Sequence, residues 1–384
     1  MIKTTLSVII SATLLSFAAQ AEENFYSPLT SKNFPQQMYW GDTHLHTSYS
    51  FDAAMMGNKQ LGPEEAYRFA RGEEIRANNG MIAKLNRPLD FLMVSDHAEY
   101  LGLVPMINAG NRELLSDPVG KRWAAMLKGG PDEQLKALLE MNVDIGDNNK
   151  TLSNLAVERS AWDHITAAAD RFNEPGKFTA LIGYEWTTMP GGDNLHRVVM
   201  FSDDASKAGQ LLPFSAFDSE DPEDLWRFLQ RYEDQTGGRV LAIPHNGNLS
   251  NGLMFALTDR QGNPLSRTYA ETRSRWEPVA EITQIKGDGE THPALSPDDE
   301  FADFERWDKG NLSALSLKRP EMLPYEYARS ALKLGLQQEA KLGVNPFKFG
   351  MIGSTDAHTS LPAVEENNFW GKFSLFEPSA KRAE

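Results

Sequence analysis

Cysteine is absent from the 384 residues, which excludes disulfides, thiolate metal ligands and a cysteine nucleophile. Beyond the amino terminus no apolar run approaches the roughly 18 to 20 residues that a membrane-spanning helix needs. Positive charge is in deficit: 38 Lys and Arg stand against 53 Asp and Glu, for a formal net charge of −15. Such a surface repels phosphate backbones, so a nucleic-acid polymer is not an expected partner. The G-x-S-x-G elbow of serine hydrolases is missing, and covalent serine catalysis has no support. No internal repeat or low-complexity tract interrupts the chain.

The amino terminus reads as a processing signal. Lys3 supplies a positive start, residues 6–18 form a short apolar run, and Ala19-Gln20-Ala21 fits the small-x-small cleavage pattern. The expectation is a signal peptide over residues 1–21 and a mature chain over residues 22–384, periplasmic or secreted, without stable membrane insertion. The mature length suits one large α/β domain carrying insertions, and it can bury enough apolar surface to do without disulfides.

Short β-branched or apolar runs at residues 38–40, 91–95, 178–184, 198–201, 240–244, 279–285 and 349–353 predict strands. Helical patterns fall between them at 63–76, 132–139, 152–172, 222–236 and 325–342. This alternation predicts an α/β fold with a largely parallel sheet, open or closed into a barrel. Residues 101–176 read as a helical insertion. A second insertion at 247–324 is rich in Gly, Pro, Ser and charge over 247–278 and 287–324, as loops that shape a site often are.

The histidines carry the chemistry. Six of the eight stand at the ends of expected strands, beside carboxylates. The first strand runs into Asp42-Thr43-His44-Leu45-His46, the second into Asp96-His97, the third into Glu185, the fifth into His245-Asn246 and the last into Asp356-Ala357-His358. His196 begins its strand and must reach the same rim by another route. In α/β folds ligands sit outside the carboxyl ends of the strands. In extended chain, residues i and i+2 share a face, so His44 with His46, and Asp356 with His358, can grip one ion. Imidazole and carboxylate together suit Mn, Fe or Zn better than soft copper or an iron–sulfur cluster.

The run His44-Leu45-His46-Thr47-Ser48-Tyr49-Ser50-Phe51-Asp52-Ala53, then Asp96-His97, Gly183-Tyr184-Glu185, His196, Pro244-His245-Asn246 and Asp356-Ala357-His358, resembles the PHP (polymerase and histidinol phosphatase) superfamily. Residues 281–287 through His292-Pro293 resemble its exported branch, DUF3604. The resemblance implies a distorted seven-stranded (β/α) barrel with a site for two or three divalent metal ions. By position it implies that His44, His46, Glu185 and Asp356 hold one ion. Glu185, His196 and His245 would hold a second, with Glu185 bridging, and Asp52, His97 and His358 a third. Asp52 stands where many relatives have His, which bears on whether the third site fills.

The expected function is hydrolysis of a small phosphomonoester or phosphodiester by a metal-activated water. Hydrolysis of a carboxylic ester, carbamate or amide is the alternative, and a non-catalytic exported metal-binding protein is a further one. Lys286 could aim an ammonium at phosphate or be a solvated loop residue. Arg197 could bind substrate or form an ion pair on the opposite face. Asn246 could orient a ligand or donate to substrate. Glu281, Asp42 and Asp96 are expected as partners of ligating imidazoles. His292 could visit the pocket, whereas His164 lies in a helical pattern and reads as structural.

Overall fold

The computed structural model describes residues 37–380 and residue 382; the expected signal peptide lies outside the described residues. Seven principal strands occur: β1 (Gly41–Leu45), β2 (Phe91–Val94), β3 (Thr179–Trp186), β4 (Arg197–Phe201), β5 (Val240–Pro244), β6 (Val279–Gln284) and β7 (Gly350–Gly353). β1 to β5 form one sheet in that order. β1 pairs parallel with β2, and β2 with β3, whereas β4 runs antiparallel to both β3 and β5. A second sheet pairs β6 parallel with β7 and antiparallel with the short Gly287–Asp288 segment.

The fold is therefore mixed α/β with a partly parallel sheet, and no closed barrel forms among the described residues. The antiparallel β4 has a simple cause. Only the short stretch 187–196 joins it to β3, too little chain for the crossover that parallel strands require. That reversal places His196, at the start of β4, on the rim where β3 ends. No ladder joins β5 to β6. β5 ends at Pro244, which has no N–H to donate, and Asn246 then turns the chain with φ +48°. Across the other gap, the segment after β7 meets β1 through backbone bonds: the Asp356 N–H donates to the His44 carbonyl (2.7 Å) and the His46 N–H to the Ala357 carbonyl (2.9 Å).

Several expected elements shift: the helix over 132–139 is Pro131–Gly146, and that over 325–342 is Ala328–Leu342. The first strand begins at Gly41, not within 38–40, because its inner residues Asp42, Thr43 and His44 are polar yet buried while Tyr39 and Trp40 stay exposed. The helix expected over 63–76 is Pro63–Ala70; Gly72 at φ +86° breaks it, and Ile75–Arg76 pairs with Ile82–Ala83 as a small hairpin.

The helical stretch after β2 positions part of the rim. Trp123, Ile107 and Met141 from its helices form an apolar cluster with Phe51 and Met55 of the short helix Phe51–Met55, which carries Asp52. Helix Leu155–Phe172 buries Trp162 and Ile165 with Ile182, Tyr184 and Phe201 of the first sheet. Gly183 on β3 is required by close approach, since a Cβ there would meet the Met93 side chain and lie 2.7 Å from the Val199 carbonyl oxygen. Among the described residues no helix is long and apolar enough to cross a membrane.

Candidate metal centre

Most of the chemically active side chains sit at or just beyond a strand end, with Asp52 on the short helix Phe51–Met55. Asp42 and Asp96 hold the turns there in place. The Asp42 carboxylate accepts the His44 N–H (2.9 Å) and the Thr355 hydroxyl (2.5 Å), tying β1 to the segment after β7. The Asp96 carboxylate accepts the Thr47 N–H (2.6 Å), the Thr47 hydroxyl (2.7 Å) and the Ser50 hydroxyl (2.9 Å), fixing the turn after β1 against the end of β2. Burial pushes Asp42 up to about 6 despite those bonds.

Glu185, from β3, lies at the centre and its two oxygens divide the imidazoles. Oε1 meets His196 Nδ1 (2.7 Å) and His245 Nε2 (2.9 Å). Oε2 meets His46 Nε2 (3.0 Å), His97 Nδ1 (3.2 Å) and His44 Nε2 (3.3 Å). Asp356 Oδ1 lies 3.3 Å from His46 Nε2 and 3.5 Å from His44 Nε2. Asp52 Oδ2 approaches His358 Nε2 (2.8 Å) and His97 Nε2 (3.4 Å). All nine expected ligands thus converge on one buried cluster.

Among the described residues, four groups of three could each hold a metal ion: His44, His46 and Asp356; Glu185, His196 and His245; His46, His97 and His358; and His44, His245 and Glu281. In the third, His46 stands where Asp52 was expected, and Asp52 bonds to the other two histidines. The fourth adds Glu281, expected only as a supporting partner. The Glu281 carboxylate does support His44, accepting from Nδ1 at 3.0 Å.

The donor chemistry fits a cation. His46 Nδ1 lies 2.8 Å from Ser50 Oγ, whose proton goes to Asp96; the serine oxygen must accept, so His46 carries its proton on Nδ1 and bares a lone pair on Nε2. The carboxylate of Glu281 imposes the same arrangement on neutral His44. His44 Nε2 and His46 Nε2 then face each other at 3.2 Å. Two lone pairs at that distance repel unless a proton or a cation lies between them. His196 Nε2 and His245 Nδ1 are buried with no partner, two further donor atoms.

Electrostatics agree. Burial opposes ionisation of Glu185, but His97, His245 and His44 hold its carboxyl well below the usual range. Burial also opposes charge on Asp52 and Asp356, yet His358 and His97 in the first case, and Lys286 and Lys372 in the second, keep both well below it. Burial pushes His196 and His358 down to about 3, although Glu185 and Asp52 beside them pull the other way. His44 and His97 are driven the other way: against burial, the surrounding carboxylates raise His44 well above its ordinary value and His97 to about 9. Those two imidazoles take protons where no dication supplies the charge.

The least buried members of the cluster mark the side that faces solvent. Side-chain exposure is 17% for Asp52 and Lys286 and 13% for Lys372, against 0% for His44 and His46. Lys286 Nζ lies 2.5 Å from Asp356 Oδ2, so this residue does reach the site. Lys372 Nζ lies 2.5 Å from Asp356 Oδ1 and also donates to the Asp356 carbonyl. Burial lowers Lys372 to about 8. Asp356 holds φ +52°, a left-handed turn that aims its carboxylate between the lysines and the histidines.

Asn246 reaches the cluster indirectly: its Oδ1 accepts from Gln284 Nε2 (2.8 Å), which also donates to Asp356 Oδ2 (2.7 Å). Arg197 does not reach it. Strand alternation turns its guanidinium to the opposite face, where Nε donates to Glu277 Oε1 (3.0 Å) beside Arg273, so the substrate-binding expectation gives way to a buried ion pair. His292 pairs with Asp308 (2.9 Å), away from the cluster. His164 is exposed and stacks on Tyr49.

Lys372, Ser50, Thr187 and Gln284 were missed in the sequence. Thr187, whose Oγ1 lies 2.5 Å from His97 Nδ1, stands two residues beyond Glu185 and could have been found by strand alternation. Lys372 follows Trp370-Gly371 in an irregular stretch and carries no such signal.

Comparison with curated proteins found no match, and comparison with solved structures found none. The sequence model of one family, described as "Protein of unknown function (DUF3604)", matches residues 33–384. That span takes in all nine histidine and carboxylate positions of the cluster together with Lys286 and Lys372, and the chain belongs to the DUF3604 family.

Proposed function

We propose that this protein is an exported, metal-dependent hydrolase of a small phosphoester, built on a PHP-type scaffold. The carrying observation is the division of five imidazoles between the two oxygens of Glu185, the arrangement expected of a carboxylate that bridges two cations. The scaffold reading rests on seven principal strands whose first and last segments are joined by backbone bonds, with a gap only between β5 and β6.

In this reading, two or three divalent ions (Mn, Zn or Fe) are held by His44, His46, Asp52, His97, Glu185, His196, His245, Asp356 and His358. Bound ions would lower the pKa of a water and neutralise charge developing on the attacked oxygen. The chain's own residues supply the rest. Glu281 and Ser50 fix the rings of His44 and His46 so that both Nε2 atoms point inward. Full burial of those histidines keeps bulk water out and strengthens every charge interaction inside. Asp52, Lys286 and Lys372 line the opening through which substrate enters.

The test is one panel on the mature protein loaded with Mn, Zn or Fe: nitrophenyl phosphate, bis(nitrophenyl) phosphate, nitrophenyl acetate and an aryl carbamate. His44→Ala and Glu185→Ala are the controls. Metal-dependent turnover of a phosphate ester, lost in both variants, is the expected result. Turnover confined to the acetate or carbamate would move the reading to carboxylic ester or amide chemistry. Bound metal with no turnover on any substrate would leave a metal-binding protein.

A further inference from the structure

Two lysines from distant parts of the chain meet at the solvent-facing side of the cluster, and neither has another carboxylate of its own there. Lys286 follows β6 and Lys372 lies beyond β7, yet each places Nζ 2.5 Å from a different oxygen of Asp356. Both lysine side chains are largely buried, with 17% and 13% of their surface exposed, so their ends are held beside that carboxylate. The backbone carbonyl of Asp356 and the face of Phe373, 5.5 Å from the ammonium, anchor Lys372.

Asp356 has a second claim on it. The same carboxylate belongs to the group of His44, His46 and Asp356 that could hold an ion. A carboxylate committed to a dication no longer neutralises two ammoniums. Lys286 and Lys372 then present two positive charges and their remaining N–H donors toward the opening, while one N–H of Lys372 stays on the Asp356 carbonyl.

We propose that Lys286 and Lys372 form a paired ammonium clamp that selects a phosphomonoester, gripping its terminal phosphate, over a phosphodiester. This rests on the phosphoesterase reading above and names its substrate class. A terminal phosphate carries about −1.5 to −2 charge at neutral pH and three acceptor oxygens. A diester offers one charge and two free oxygens, and so matches the pair poorly. Lysine suits the task, since an ammonium acts as a point charge on phosphate without the fixed fork of arginine.

The experiment measures binding of inorganic phosphate to the Mn-loaded mature protein by calorimetry, beside kcat/KM for nitrophenyl phosphate and bis(nitrophenyl) phosphate. The variants are Lys286→Ala, Lys372→Ala and Lys372→Arg, with exposed Lys333→Ala as the control for loss of one surface charge. Metal content is read by mass spectrometry. Expected are an unchanged metal content, at least a tenfold loss of phosphate affinity in each alanine variant, partial recovery with arginine, and a fall in the monoester-to-diester ratio through KM. Unchanged phosphate affinity in either alanine variant overturns the clamp, as does a wild-type preference for the diester. Metal loss in the alanine variants also overturns it, because the lysines would then be supports for Asp356. Lysine-dependent phosphate binding without turnover of either ester would retain the clamp and reject the hydrolase reading.

Discussion

Ser50→Ala is the most discriminating single substitution, because one hydroxyl sets the proton on a ligating ring. Ser50 Oγ has three partners: it receives His46 Nδ1 (2.8 Å) and the His97 N–H (3.1 Å) and donates to Asp96 (2.9 Å). Removing it leaves two buried N–H groups without that acceptor, at a cost of about 1–3 kcal/mol each. It also frees the His46 tautomer. Loss of such an outer partner typically costs 10–100-fold in metal affinity, roughly 1.4–2.7 kcal/mol. The assay is competition for Zn or Mn against a chromogenic chelator, with circular dichroism verifying the fold. Ser50→Ala should bind metal at least tenfold more weakly, and Ser50→Thr, which keeps the hydroxyl, should recover most of the loss. A folded Ser50→Ala protein with wild-type affinity would refute the tautomer argument, and with it the reason for placing a cation between His44 and His46.

Four further outcomes are expected. Glu185→Gln should lower the metal content by at least one equivalent, read by mass spectrometry, because an amide cannot bridge two cations as a carboxylate does; full stoichiometry would count against bridging. Metal uptake at pH 7 should release protons, since carboxylates hold His44 and His97 above their ordinary value, and the release should shrink as pH rises through about 9, where His97 loses its proton; calorimetry in buffers of different ionisation heat measures it. Glu277 is buried, yet Arg197 and Arg273 hold it below its ordinary value, so its stabilisation is present above the unfolded pKa of about 4.3 and lost as pH falls through the folded value. Glu277→Gln should cost about 3–5 kcal/mol in urea unfolding at pH 7 and flatten the acid limb. Gly183→Ala should cost about 1–3 kcal/mol by pressing a methyl group against Met93 and the Val199 carbonyl, a loss that thermal unfolding would detect.

The candidate metal site was legible because its chemistry is largely local to strand ends. His44 with His46, and Asp356 with His358, announce themselves by i, i+2 spacing, and an apolar run precedes Asp96-His97, Glu185 and His245. Even the misplacement of the first strand did not disturb the ligands, since Gly41–Leu45 ends in the same residues. What stayed hidden depends on distance in the chain. Nothing near Lys372 hints that it meets Asp356, and nothing near Arg197 names Glu277 as its partner. The closure of the strands was also out of reach, because it turns on which edges exchange hydrogen bonds and not on which segments are extended.

The backbone bonds that join His44 and His46 to Asp356 and Ala357 have a consequence for assembly. A nascent chain has its first two imidazoles long before Asp356, so no early fragment holds the whole group of His44, His46 and Asp356. Any truncation upstream of Gly350 removes that carboxylate and the partner strand together. On the metal-binding reading, the group of His44, His46 and Asp356 would become complete only once the carboxyl-terminal segment has docked against the first strand.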